Sequence, residues 1–184
     1  MSFVTGTQTE TLAVNNAAST AFTGTSVAAI QMPSGAAWTP ANFALPSYGQ
    51  SKTLLLIASG VFSTTTGTNA LTFGISANTT QGTYNSSAIA ATTGAVNQTA
   101  SITAQPWQLE CTITFTGAIG ASATYITSGN MTMYPTASTL LNMKFSSSAS
   151  TISTQVAYFW EYFALWGAAS NSITINSSVI LGVN

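Results

Sequence analysis

The side chains able to do ionic or nucleophilic chemistry are few: Glu10, Lys52, Glu110, Cys111, Lys144 and Glu161, with no His, Arg or Asp. Two glutamates can act as acid and base on a glycosidic bond. Here Glu110 falls on the polar face of an alternating stretch and Glu10 lies near the N-terminus. Glu161 alone sits among aromatics, where burial would raise its pKa. A structural carboxylate, hydrogen-bonded to a Tyr, a Trp or Lys144, explains it more simply. No imidazole exists to activate a serine by triad logic, and a Ser–Lys device would need Lys52 or Lys144 desolvated beside a serine. Zinc asks for clustered Cys and His and calcium for several close carboxylates, which three separated glutamates do not build. The residue types therefore predict a non-enzymatic protein with no metal and no cofactor.

The remaining polarity is neutral. Charged residues make up 3% of the 184, against roughly 25% in ordinary domains. In their place stand 32 Thr, 24 Ser, 12 Asn and 8 Gln. Two scattered lysines cannot neutralise a phosphate backbone, so no nucleic-acid partner is expected. A net charge of −1 removes self-repulsion and favours association. The longest apolar run, Leu54 to Phe62, is interrupted by Ser59 and Gly60 and is far short of the roughly 20 residues that span a membrane. The opening Met-Ser-Phe-Val-Thr-Gly-Thr-Gln has neither the basic nor the apolar segment of a secretory signal. The N-x-S/T sequons at Asn78, Asn85, Asn97, Asn130 and Asn176 are expected by chance in so hydroxyl-rich a chain. Cys111, with no second cysteine, reads as a buried thiol.

The elements that position these residues are strands. Trp107, Leu109, Cys111, Ile113 and Phe115 alternate with Gln108, Glu110, Thr112, Thr114 and Thr116, the period of a strand with one dry and one wet face. The pattern returns at Leu71–Phe73–Ile75 and at Leu141–Met143–Phe145. A further stretch carries Ile173, Ile175, Val179 and Leu181 on its apolar side and Thr174, Asn176, Ser178 and Ile180 between them. Less regular strands are expected over Glu10–Val14, Ser26–Met32, Thr53–Phe62, Ala123–Tyr134 and Thr151–Trp166, with Gly, Asn, Ser and Pro in the gaps. These features predict an all-β, two-sheet antiparallel sandwich of about eight strands. The jelly roll is preferred to the immunoglobulin sandwich, whose Cys and Trp landmarks are missing. Residues 1–15 are expected to form an N-terminal arm and first strand, and residues 16–184 a single sandwich domain. Two long connections, 33–52 and 78–100, read as loops with a task, since structureless loops beyond roughly 12–15 residues are uncommon.

Candidate contact residues follow. The run from Tyr158 to Trp166 puts Trp160, Tyr162 and Trp166 on one strand face and Phe159, Glu161, Phe163 and Leu165 on the other. Large side chains on both faces imply a strand covered twice or a patch meant for a partner. Tyr158, Trp160, Tyr162 and Trp166 are thus candidates for a subunit interface, where aromatics are enriched. Trp38, Phe43 and Tyr48 on the Pro-rich connection could pack on a partner or on their own domain, or stack on a sugar. Phe3 and Val4 lie on the arm Met1–Glu10, which could reach a neighbouring subunit.

The C-terminal run Tyr158-Phe-Trp-Glu-Tyr-Phe-Ala-Leu-Trp, then Ala-Ala-Ser-Asn-Ser-Ile-Thr-Ile, closing on Ile180-Leu-Gly-Val-Asn, resembles the end of the jelly-roll cement or decoration proteins of tailed phages. The likeness covers about a quarter of the chain by motif. It implies a homo-oligomer, often a trimer, bound to the major capsid protein on the outside of the virion. It brings no catalytic motif. Other readings open at this point are a glycan-binding receptor-recognition or tail-fibre module and a self-assembling filament subunit.

Overall fold

A computed structural model of the chain describes residues 9–31, 53–67, 69–87, 89–116, 120–136, 138–146, 150–153 and 158–183. Among these residues there are eleven strands and no helix: β1 (Thr9–Asn15), β2 (Ala28–Ala29), β3 (Thr53–Ser63), β4 (Ala70–Asn78), β5 (Ile89–Asn97), β6 (Gln105–Phe115), β7 (Ala123–Thr136), β8 (Thr139–Ser146), β9 (Ser150–Ile152), β10 (Phe159–Trp166) and β11 (Ser172–Val183). The alternating stretches become strands for the reason their period implies. Along β6, Trp107, Leu109, Cys111, Ile113 and Phe115 are buried while Gln108 and Glu110 are exposed.

The antiparallel pairings are nested. Ala70 of β4 faces Asn97 of β5, Leu56 of β3 faces Cys111 of β6, Ala29 of β2 faces Phe163 of β10, and Thr9 of β1 faces Val183 of β11. Nested pairing of this kind is the ribbon of a jelly roll. Rolled up, it makes one layer in the order β1-β11-β3-β6 and a second in the order β2-β10-β4-β5. The strand count exceeds the expected eight because β7, β8 and β9 are inserted between β6 and β10. Of these, β7 and β8 extend the first layer and β9 pairs with β7. A single residue pair, Thr92 with Ser146, joins β5 to β8. The first layer therefore curls over until its edge meets the second.

Between the layers lies a dry core. The Phe73 ring is its hub, with centroids 5.6 Å from Trp107, 6.0 Å from Tyr162 and 6.4 Å from Phe145. Full burial of an aromatic or aliphatic side chain of this size contributes about 1.5–3 kcal/mol.

Three expectations are corrected. Residues 89–97, inside the stretch read as a loop over 78–100, form β5. The alternation in β11 does not run straight: its register with β3 slips between Ile175 and Ser177. That bulge turns Ser178 and Ile180 inward and leaves Val179 and Leu181 on the outer side. The strand expected over Thr151–Trp166 appears as two elements, β9 and β10, on different partners.

Candidate functional site

Strand β10 lies between β4 and β2, and both of its faces are covered by this chain. Trp160, Tyr162 and Trp166 point into the core and are each 1% exposed, and Tyr158 is half-buried against the same core. Trp160, Tyr162 and Trp166 have no surface left to give a neighbouring subunit while the chain keeps this fold. Their expected role at an interface is replaced by packing between the layers.

The other face of β10 is roofed by residues 79–87, which connect β4 to β5. Gly74 of β4, opposite Phe163, makes this possible: a Cβ there would collide with the Phe163 ring. Tyr84 then packs on Phe163 with ring centroids 4.8 Å apart. Gly82 adopts φ +74°, a left-handed conformation that glycine takes freely. Its N–H donates to Glu161 Oε1 at 2.9 Å, and its carbonyl accepts from Gln31 Nε2 at 2.7 Å.

Glu161 is 1% exposed. Burial pushes its carboxyl up from 4.5 to about 7, against the smaller opposing effect of the Gly82 hydrogen bond. Its cross-strand neighbour is Ser76, whose buried hydroxyl has no hydrogen-bond partner. Glu161 thus accepts from a backbone amide rather than from the expected Tyr, Trp or Lys144. The arrangement can take up and release a proton near neutral pH.

A second feature is the outer face of the curled layer. One cross-strand row reads Val14, Val179, Ile57, Glu110, Asn130, Lys144 from β1 to β8. Leu55 and Leu181 stand opposite one another beside it. Ile57 is 38% exposed, Ile126 47% and Leu140 61%, and strand alternation puts all three on this face. A concavity of about 560 Å³ opens here, with Val14, Ile57, Glu110, Asn130 and Val179 in its lining. The hydroxyls between the apolar residues are paired laterally. Thr53 meets Thr114 at 3.3 Å, Ser59 meets Ser177 at 2.9 Å, and Thr112 meets Ser128 at 3.0 Å. Thr132 Oγ1 donates to Asn142 Oδ1 at 2.9 Å. Such pairs are the unit of sheet stabilisation.

Among the remaining candidates, Cys111 is buried as expected and its thiol is pushed up to about 12 by burial. Glu110 and Lys144 are exposed on the outer face. Phe3, Val4, Trp38, Phe43 and Tyr48 lie outside the described residues. Among the described residues, no three His, Cys, Asp or Glu side chains gather into a group able to hold a metal ion.

Gly82, Tyr84, Ser76 and Gln31 escaped the sequence reading, since a backbone amide donor leaves no trace in side-chain pattern. The outer apolar stripe did leave one: Leu54-Leu55-Leu56-Ile57 is apolar on both strand faces. Comparison with family models, curated proteins and solved structures returned no match for the chain.

Proposed function

We propose that this is a non-enzymatic structural protein of a phage particle: a homo-oligomer, in the first instance a trimer, that decorates or cements the capsid exterior against the major capsid protein. The observation that supports this reading is the outer face of the curled layer. It combines an aliphatic stripe with hydroxyls already hydrogen-bonded to each other across strands. Covering such a face gains about 25 cal/mol per Å² of apolar area. The paired hydroxyls keep a partner when water leaves, which lowers the cost of covering them. Glu110 and Lys144 bring opposite charges to one row with Asn130 between them, so the face presents no net field to a neutral partner. Function then resides in bound area rather than in chemistry.

Light scattering on the purified chain, followed by co-sedimentation with heads of the phage whose particle contains it, tests the reading. A trimer that binds the heads, and loses binding when Ile57 is replaced by Lys, is the expected result. A monomer that ignores the heads and instead binds a glycan array overturns it in favour of receptor recognition. Open-ended polymers would mean a filament subunit.

A further inference from the structure

The roof over β10 is fastened in an unusual way. Two amide hydrogen bonds tie it to β4 on either side of Tyr84. Asn78 Nδ2 donates to the Thr83 carbonyl at 3.0 Å and Asn85 Nδ2 to the Ala77 carbonyl at 3.0 Å. The intervening Thr79, Thr80, Gln81 and Thr83 are exposed. The same stretch is also held by Gly82, through the Glu161 carboxyl and Gln31, and by the Tyr84–Phe163 ring contact. Beneath lies the buried Ser76 hydroxyl without a partner, so the polar row under the roof is not fully satisfied when closed.

We propose that residues 79–87 are a strap that closes on and lifts from the outer face of β10, with the proton on Glu161 as its control, and that lifting bares Phe163. The physical cause is desolvation. Closure takes the Glu161 carboxyl out of water, which favours its neutral form; lifting returns it to water, where the ion is preferred. The closed strap therefore binds the proton more tightly than the open one, and raising the pH favours opening.

The groups facing Glu161 do not offset this. Strand β4 has no acid or base, and the strap contributes only the Tyr84 phenol. Gln31 is neutral, and Tyr162, next along β10, points into the core on the side of Cys111. Among the described residues the one lysine, Lys144, stands exposed on β8 in the other layer. From below 4.5 to above 7, the ratio of closed to open strap falls by about two orders of magnitude. This inference stands whether or not the protein decorates a capsid.

Hydrogen exchange across that pH range, corrected for the base catalysis of exchange itself, tests it in the full chain. Protection of the Gly82 amide is expected to fall with pH while that of β6 stays constant. Glu161→Gln, which keeps an acceptor but no titration, is expected to abolish the pH dependence. Strap protection that does not change with pH, or that changes equally in Glu161→Gln, overturns the proposal. Should the variant fold poorly, carbon-detected NMR titration of the Glu161 carboxyl in the wild-type chain decides. A midpoint near 7 that moves together with the Tyr84 and Phe163 signals supports the strap. A midpoint near 4.5, or one near 7 with those signals unmoved, overturns it.

Discussion

The Trp107 indole N–H donates to the Thr174 carbonyl at 3.2 Å, crossing the top of Gly60 to reach it. Strand β3 lies between the two partners, so one side chain of β6 bonds to β11 over a strand that has no side chain at that point. A Cβ on Gly60 would collide with the Thr174 carbonyl and with the indole nitrogen.

Gly60→Ala is accordingly expected to destabilise the sandwich by about 3 kcal/mol through overpacking. Trp107→Phe, which keeps a ring but removes the indole donor to the Thr174 carbonyl, should cost about 0.5–1.5 kcal/mol through that lost hydrogen bond, apart from any loss of packing. Urea unfolding followed by circular dichroism reads both. Equal stability of Gly60→Ala and wild type would show that the approach is not tight.

Glu161 gives global stability a definite pH dependence. Its folded pKa, about 7, lies above the ordinary 4.5, so the folded chain binds this proton more tightly than the unfolded one. Its contribution is greatest below 4.5 and is lost as pH rises through about 7, by as much as about 3 kcal/mol. Unfolding midpoints measured at intervals across that range should fall with pH, and Glu161→Gln should flatten the curve. A midpoint that rises over the same interval would contradict the assignment.

Cys111 is fully buried, with its thiol held protonated up to about 12. A thiol-reactive dye should leave the native protein unmodified at neutral pH and label it in step with unfolding. Rapid native labelling would mean that β6 opens locally.

Phe163→Ala removes the ring between Gly74 and Tyr84 and should cost about 3–5 kcal/mol, as buried aromatic truncations do. Tyr84→Phe keeps the ring contact and should stay within about 0.5 kcal/mol of wild type. Differential scanning calorimetry separates them.

Ile57→Lys adds a charge to a partly exposed site on the outer face and should leave unfolding stability within about 0.5 kcal/mol, while abolishing co-sedimentation with the phage heads. A large loss of stability instead would place Ile57 under cover within the chain.

What could be read from the residues depended on whether one strand face met water. Along β6 it did, and Trp107 to Phe115 declared their inward side without error. Strand β5 was missed because Ile89-Ala-Ala-Thr-Thr-Gly-Ala-Val-Asn has small residues where β-branched and aromatic ones would have signalled a strand. In β11, one extra residue at Asn176 reversed the inward set from Ser178 onward, and a bulge is invisible to a period count. For β10 the composition left open whether its second large face was covered by this chain or meant for a partner. The cover is residues 79–87, small and polar, held by a backbone amide. The roll itself was favoured because the Cys and Trp landmarks of an immunoglobulin sandwich are missing and the connections are too long for a simple meander. Its actual proof, the pairing of Thr9 with Val183 and of Ala29 with Phe163, is non-local and leaves no mark in sequence.

That nesting sets an order in time. The hairpin of β4 and β5 needs only a short loop to close, and β3 with β6 can add to it next. Strands β2 and β1 must wait for partners encoded near the opposite end of the chain. Folds dominated by such distant pairings acquire them slowly, over milliseconds to seconds or longer. During synthesis β1 emerges first and is sealed last, so its backbone stays available to other chains throughout. A protein with almost no charge to keep chains apart is most exposed to misassembly in that interval, before its final strand arrives.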